Sequence, residues 1–269
     1  MIIIKSINKL KKELYLKKNV GFVPTMGSLH GGHVSLIKKS KKMCEKTVVS
    51  IFVNPKQFNN KKDFIKYPRN VDTDVKILSK HKVDYILLPS FQDLYSNNKY
   101  SKQKLKEKDI VMCAKYRKGH FEGVLAVINQ YLKKLKFDYI FLGEKDFQQL
   151  HLIKKFTKNR FKTNVVACKT IRDKSFLPYS SRNKLLNKNC INKARKVSKI
   201  LKQYYLSIKK NFKNHSKKNM VENYVKKYTD KIEYFDIRNK KNLSIKYNKT
   251  NFKIFIAYYL DGVRLIDNY

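Results

Sequence analysis

Residues 23–37 read VPTMGSLHGGHVSLI and connect a short apolar run to the start of an amphipathic segment. The chain has 8 glycines in 269 residues, yet three of them fall within positions 27–32. Glycine suits a tight strand-to-helix turn because it accepts positive φ. Such a turn does not by itself require histidines, and here His30 and His33 flank a glycine pair. The stretch therefore predicts a strand–turn–helix unit whose turn is a candidate site.

The composition indicates a globular protein. Hydrophobic residues make up 42% of the chain and aromatic residues 13%, and no apolar run approaches the roughly 18 residues that span a bilayer. The first residues, MIIIKSINKLKKEL, lack the apolar core of a signal peptide. The cysteines show no C-x-x-C spacing, which favours free thiols in a reducing compartment. We therefore expect a cytoplasmic protein, large enough for two domains.

The surplus of positive charge has two explanations. Lys and Arg total 62 against 20 Asp and Glu, a formal net charge of +42, which is typical of proteins that bind nucleic acid or anionic membranes. Only 8 of the 62 basic residues are arginine, however, and arginine makes the bidentate contacts that lysine cannot. Abundant Lys, Asn, Ile and Tyr favour compositional drift instead. We expect anionic substrates, but no specific nucleic acid or membrane partner.

Strands and helices alternate through the first two thirds of the chain. Short apolar runs predict buried strands, and longer amphipathic runs predict helices between them. This alternation predicts an α/β fold, a doubly wound parallel sheet of Rossmann-like type, over residues 1–178. The predicted strands are 19–26, 47–54, 83–90, 137–143 and 164–172, and the predicted helices include 70–82, 123–135 and 147–160.

The remaining residues follow a different pattern. A Lys-rich helical region covers 190–228, and two apolar runs follow at 232–239 and 252–267. The dipeptide Asp261-Gly262 inside the second run is a strong hairpin signal. We expect a smaller α+β lid domain over 179–269.

Polar residues cluster where the predicted strands end. Helix N-termini bind phosphate, and imidazoles at such a junction donate hydrogen bonds where charge develops. The stretch is neither a P-loop nor a G-x-G-x-x-G fingerprint. Further polar segments follow other strands, and parallel strands bring their carboxyl ends to one crevice. These segments are SIFVNPKQF (50–58), RKGHFEGV (117–124), LGEKDFQQL (142–150) and PYSSRN (178–183).

Together these blocks resemble the pantoate–β-alanine ligase family over essentially the whole chain. The resemblance also covers YPR at 67–69 and DGVRLIDN at 261–268, while His-x-Gly-His alone is shared by a wider nucleotidyltransferase superfamily. It implies ATP-dependent condensation of pantoate with β-alanine through a pantoyl-adenylate, with release of AMP and pyrophosphate. It also implies Mg²⁺ and a homodimer.

The resemblance assigns roles residue by residue. Gln57 and Gln149 would bind pantoate and β-alanine, Asp74 is a candidate for helping to hold Mg²⁺, and His33 is the position that the family labels proton donor. The carboxylate of pantoate is already ionised, so we interpret both histidines as transition-state stabilisers. The catalytic candidates are His30, His33, Lys145 and Arg182, and the ATP-binding candidates are Met26, Gly27, Ser28, Leu29, His30, Gly31, Gly32, His33, Gly143, Glu144, Lys145, Asp146, Ile171, Tyr179, Ser180, Ser181 and Arg182.

Two departures from the family pattern stand out. Phe176-Leu177-Pro178 replaces the usual Gly-Leu-Ala before the mobile Ser-Ser-Arg loop, which predicts a stiffer loop and slower closure or product release. Lys56 replaces the usual Met beside Gln57. Two other functions stay open. One is a nucleotidyltransferase with another acid, which the paired glutamines argue against, and the other is a basic nucleic-acid-binding protein on a retained fold.

Overall fold

The structure, a computed structural model, describes residues 1–95 and 103–269. The chain divides into two compact units. The first comprises residues 1–107 and 117–169, and the second comprises 108–116 and 170–269. The predicted boundary near residue 178 falls inside the second unit, since Arg172 forms an ion pair there with Asp267.

The first unit alternates strands and helices, as its apolar pattern predicts. Its strands are β1 (Ile2–Ile4), β2 (Val20–Thr25), β3 (Lys46–Ile51), β4 (Tyr85–Leu87), β5 (Tyr139–Gly143) and β6 (Asn164–Cys168). Its helices are α1 (Ile7–Glu13), α2 (Gly31–Met43), α3 (Lys61–Lys66), α4 (Val71–Lys80), α5 (Phe91–Tyr95), α7 (His120–Lys134) and α8 (Phe147–Thr157), while α6 (Cys113–Tyr116) belongs to the second unit.

The six strands form a parallel sheet in the order β1-β4-β3-β2-β5-β6. This confirms the predicted α/β class, and the direction of winding reverses between β2 and β5. In such sheets ligands bind outside the carboxyl ends of the strands at the reversal. Strand β1 was not predicted from the sequence, because a three-residue edge strand is too short to show a period.

The opening stretch forms the predicted strand–turn–helix unit, with one correction. Positive φ occurs at Gly27 (78°) and Ser28 (52°), whereas Gly31 and Gly32 form the first turn of α2. Strand β2 packs closely against α2 at Gly21, because a Cβ at this position would lie 2.3 Å from the Oγ atom of Ser40. Only glycine lets β2 and α2 approach this closely.

The second unit is an α+β structure. Besides α6 it contains α9 (Lys188–Lys210), α10 (Lys218–Lys226), β7 (Lys231–Asn239), β8 (Phe252–Leu260) and β9 (Val263–Asn268). The strands form an antiparallel sheet in the order β7-β8-β9. The hairpin prediction is confirmed, since Asp261 (φ 49°) and Gly262 (φ 70°) join β8 to β9 in the left-handed conformation that such turns require.

All four cysteines lie in the described residues as buried free thiols. Burial raises the pKa of Cys44 and of Cys168, so these thiols stay protonated at neutral pH. Within residues 1–95 and 103–269, the helices are too short or too polar to span a membrane.

Candidate active site

The turn after β2 is held by a buried carboxylate. Asp74 is 1% exposed, and its two oxygens accept hydrogen bonds from the backbone N–H groups of Ser28 and Leu29, both at 2.7 Å. The N–H of Gly27 donates to the Oγ1 atom of Thr25 at 3.2 Å. Asp74 therefore stabilises a turn that contains a non-glycine residue at positive φ.

His30 caps helix α2 with its ring. Its Nδ1 atom accepts the N–H of Gly32 at 3.1 Å, so in the neutral ring the proton lies on Nε2. The ring centroids of His30 and His33 are 4.0 Å apart. The structure thus brings together the two histidines at a helix N-terminus, where backbone N–H groups and the helix dipole favour an anion.

Residues 143–146 begin at the last residue of β5, the strand that neighbours β2. Gly143 and Glu144 are half-buried there. The Nζ atom of Lys145 lies 3.5 Å from the Oδ1 atom of Asp146. Because β2 and β5 are parallel and adjacent, this cationic side chain and the two histidines follow strands that end at the same edge of the sheet, at the point of reversal.

Gln57 lies at the end of the short helix Pro55–Gln57, after β3. The side chain is 7% exposed, and its Nε2 atom lies 2.7 Å from the Sδ atom of Met26, in the opening stretch. Asn54, 1% exposed, donates from Nδ2 to the carbonyl of Gly123 at 3.1 Å and lies 3.4 Å from the Oε1 atom of Gln57. Gln57, which is predicted to bind pantoate, therefore contacts Met26, which is predicted to bind ATP. Gln149 is half-buried on α8, which follows residues 143–146.

Gly123 lies in one of the polar segments, RKGHFEGV, but no role was predicted for it. A Cβ at this position of α7 would lie 2.2 Å from the carbonyl oxygen of Lys56 and 2.8 Å from the Cα atom of Gln57. Both atoms are backbone, so no rotamer change relieves the clash. The signal was weak, because Gly123 was the first residue of the predicted helix 123–135, and it is a glycine in a helix interior that usually has a packing reason.

Gly123→Ala is expected to destabilise the protein by about 1–3 kcal/mol, the usual cost of overpacking. It should also raise the KM for the substrate that Gln57 binds, because the helix Pro55–Gln57 must shift. Urea unfolding and steady-state kinetics measure the two effects. Gly143→Ala is the control for stability, since a Cβ there meets no heavy atom within 4 Å. Equal stability of both variants would contradict the packing argument.

The second unit contains the other predicted nucleotide-binding residues. The carbonyl of Ile171 accepts the N–H of Tyr179 at 3.1 Å, which closes a hairpin over residues 171–179. Ser180 then caps the short helix Ser181–Leu185 by accepting the N–H of Arg182 at 3.3 Å. The predicted loop residues thus form one continuous turn within this unit.

The hairpin contains the departure from the family pattern. Phe176 adopts φ 69°, the left-handed conformation that favours glycine. The Nζ atom of Lys202 lies 3.5 Å from the centroid of its ring, and its carbonyl accepts from the Nη1 atom of Arg172 at 2.9 Å. Arg172 also pairs with Asp267 through two hydrogen bonds, at 2.9 and 2.8 Å, and sequence reasoning did not identify this anchor.

The residues present do not fit a protein-held Mg²⁺ site. Both oxygens of Asp74 accept backbone N–H groups, so they point at the turn. Among the described residues no three His, Cys, Asp or Glu side chains are grouped as metal ligands. Asp74 therefore holds the turn and not a metal ion.

A doubly wound sheet with a helix N-terminus at its reversal, where anions are favoured, is typical of one class of protein, the nucleotide-binding α/β enzymes. The sequence profile described as "Pantoate-beta-alanine ligase" matches residues 2–269. The chain therefore belongs to the pantoate–β-alanine ligase family.

Individual relatives agree with this assignment. A protein named pantothenate synthetase from Francisella tularensis subsp. mediasiatica (strain FSC147) is 40% identical over 269 residues, which cover 99% of this chain and 95% of the relative. A crystal structure of pantoate-beta-alanine ligase from Francisella tularensis, complexed with beta-gamma ATP and beta-alanine, matches with a TM-score of 0.87 at 38% identity, covering 100% of this chain and 97% of the other. Pantothenate synthetase from Thermus thermophilus matches with a TM-score of 0.89 at 26% identity, covering 100% of this chain and 99% of the other.

Proposed function

We propose that this protein condenses pantoate with β-alanine at the expense of ATP. The pantoate carboxylate attacks the α-phosphorus of ATP, which forms pantoyl-adenylate and releases pyrophosphate. The amine of β-alanine then attacks the activated carbonyl, which forms the amide bond of pantothenate and releases AMP. The observation that supports this proposal most directly is the contact of Gln57 with Met26, because it joins the acid-binding and nucleotide-binding segments.

The histidines and Lys145 act on the phosphates in this proposal. Attack by a carboxylate that is already ionised needs no general base, but it places negative charge on the phosphate oxygens and the leaving pyrophosphate. The Nε2–H of His30, the ring of His33 and the first N–H groups of α2 stabilise that charge. Lys145 adds a cation from the neighbouring strand end.

The neutral amides of Gln57 and Gln149 hold the hydroxyl groups of pantoate. An amide donates and accepts hydrogen bonds without forming an ion pair with the carboxylate that must attack, so it orients the nucleophile without lowering its reactivity. Burial of Gln57 and its neighbour Asn54 restricts the amide to one orientation.

Several further assignments belong to the same proposal. Residues 171 and 179–182 contact the nucleotide, and Arg182 stabilises phosphate charge. The second unit acts as a lid. Mg²⁺ arrives on the phosphates of ATP, since this ion commonly keeps few protein ligands beside substrate phosphates. The protein works as a cytoplasmic homodimer without a specific nucleic acid partner.

The test is release of AMP and pyrophosphate from purified protein with ATP, Mg²⁺ and pantoate, with and without β-alanine. We expect sustained AMP formation only when pantoate and β-alanine are both present, with pantothenate formed in equal amount. AMP formation with another acid but not with pantoate would indicate a different nucleotidyltransferase. An absence of turnover together with salt-resistant nucleic-acid binding would replace the enzyme by a binding protein.

The double variant Phe176→Gly, Pro178→Ala is expected to raise kcat severalfold. Glycine relieves the left-handed strain at position 176, and removal of proline restores backbone freedom before the loop 179–182. Steady-state kinetics measure the change. Lys82→Gly is the control. It relieves the same kind of backbone strain at an exposed residue of the first unit (φ 50°), away from the loop, and should leave kcat unchanged. Unchanged turnover in the double variant would contradict the stiff-loop interpretation.

A further inference from the structure

His120 contacts the backbone of Gln57, the residue proposed to bind pantoate. It is the first residue of α7 and is 8% exposed. Its Nδ1 atom lies 2.7 Å from the carbonyl oxygen of Gln57, and its Nε2 atom lies 2.9 Å from the Nη1 atom of Arg117. The Nη2 atom of Arg117 in turn lies 3.8 Å from the Oδ2 atom of Asp63, on α3. These contacts connect α3 and residues 117–120 to the backbone of Gln57.

The two contacts determine the tautomer of the ring. A guanidinium has no acceptor, so Arg117 donates to Nε2, which must carry a lone pair. The remaining proton of the neutral ring is then on Nδ1, and it is donated to the carbonyl of Gln57.

We propose that His120 is a positioning residue for Gln57, and this inference rests on the proposed function. Its hydrogen bond fixes the backbone of Gln57, while Asn54 and Met26 contact the side chain. Arg117 selects the tautomer that makes this bond. Gly123 of the same helix packs closely against the Cα atom of Gln57. Helix α7 therefore positions Gln57 at two points, and so determines where its side-chain amide points.

Packing alone and positioning predict different kinetics. Loss of packing at a buried ring lowers stability and the active fraction, and it affects all substrates alike. Loss of the Nδ1 hydrogen bond lets Gln57 move while the turn at residues 26–33 stays supported by Asp74. Positioning therefore predicts a higher KM for pantoate and an unchanged KM for ATP.

The decisive comparison is between His120→Asn, His120→Gln and His120→Ala. The amide nitrogen of Asn reaches the place of Nδ1, whereas that of Gln reaches the place of Nε2. We expect the KM for pantoate to rise about tenfold in the Ala and Gln variants, and to stay within about twofold of the original in the Asn variant. The KM for ATP should change by less than about twofold throughout. Equal effects of Asn and Ala, or an equal rise for ATP and pantoate, would overturn the proposal.

A second readout does not depend on catalysis. Imidazole ¹⁵N chemical shifts of His120 in the unmodified protein are expected to report a neutral ring with the proton on Nδ1. A proton on Nε2 would overturn the tautomer assignment, and with it the proposal, even in an active enzyme. Failure of the unmodified protein to form AMP from pantoate would instead overturn the proposed function and the role built on it, while leaving the tautomer result intact.

Discussion

Replacing His33 with alanine is expected to lower kcat for AMP formation by about 10²- to 10³-fold, the loss typical of removing one preorganised donor to a developing charge. The ring of His33 lies in the first turn of α2, 4.0 Å from that of His30. At this helix N-terminus the ring, the backbone N–H groups and the Nε2–H of His30 all favour negative charge. The loss should appear in kcat more than in the KM for ATP, because charge increases on going to the transition state.

His33→Gln separates two chemical roles. The amide of glutamine donates a hydrogen bond from about the position of Nε2, but it does not transfer a proton at neutral pH. If His33 stabilises charge, the Gln variant should recover about tenfold over Ala. If it transfers a proton, Gln and Ala should be equally impaired. His81→Ala is the control, since His81 directly follows α4 and takes no part in the proposed chemistry. Full activity of His33→Ala would exclude both roles.

The sheet could be predicted from sequence because its strands are short apolar runs that alternate with amphipathic helices. For the candidate site residues, the sequence predicted only that they lie at the same edge of the sheet, because the carboxyl ends of parallel strands lie together there. Edge strand β1 was missed since three residues show no period. The segment 108–116 was missed as part of the second unit because its assignment depends on tertiary contacts.

The contacts that support the site could not be predicted in this way. The carboxylate of Asp74 holds the turn from 46 residues away, and the ring of His120 meets the carbonyl of Gln57 across 63 residues. Nothing in the local pattern of either residue indicates its partner. Composition and spacing predict which residue types reach a crevice, whereas the register of packed helices decides which backbone groups they meet.

Asp267→Asn is expected to destabilise the protein by about 3–5 kcal/mol, the cost of breaking a buried ion pair from one side. Asp267 is 3% exposed and accepts two hydrogen bonds from Arg172 and one from Ser198. Burial alone lowers the pKa of the Arg172 guanidinium, but the contacts with Asp267 reverse this, so its pKa lies above the ordinary value. Arg172 therefore stays charged, and the Asn variant leaves a partly buried cation without its counter-ion.

Urea unfolding measures the loss, with Glu222→Gln as the control. Glu222 pairs with Lys218 at 3.3 Å on α10, and both side chains are more accessible to solvent, so its loss should cost at most about 0.5 kcal/mol. Replacing both partners, Arg172→Met with Asp267→Leu, should cost less than Asp267→Asn alone because no charge is left buried. If Asp267→Asn were as mild as Glu222→Gln, the pair would not anchor the hairpin. If it is severe, residual folded protein should also lose turnover, because residues 171–179 lead directly into the proposed nucleotide loop.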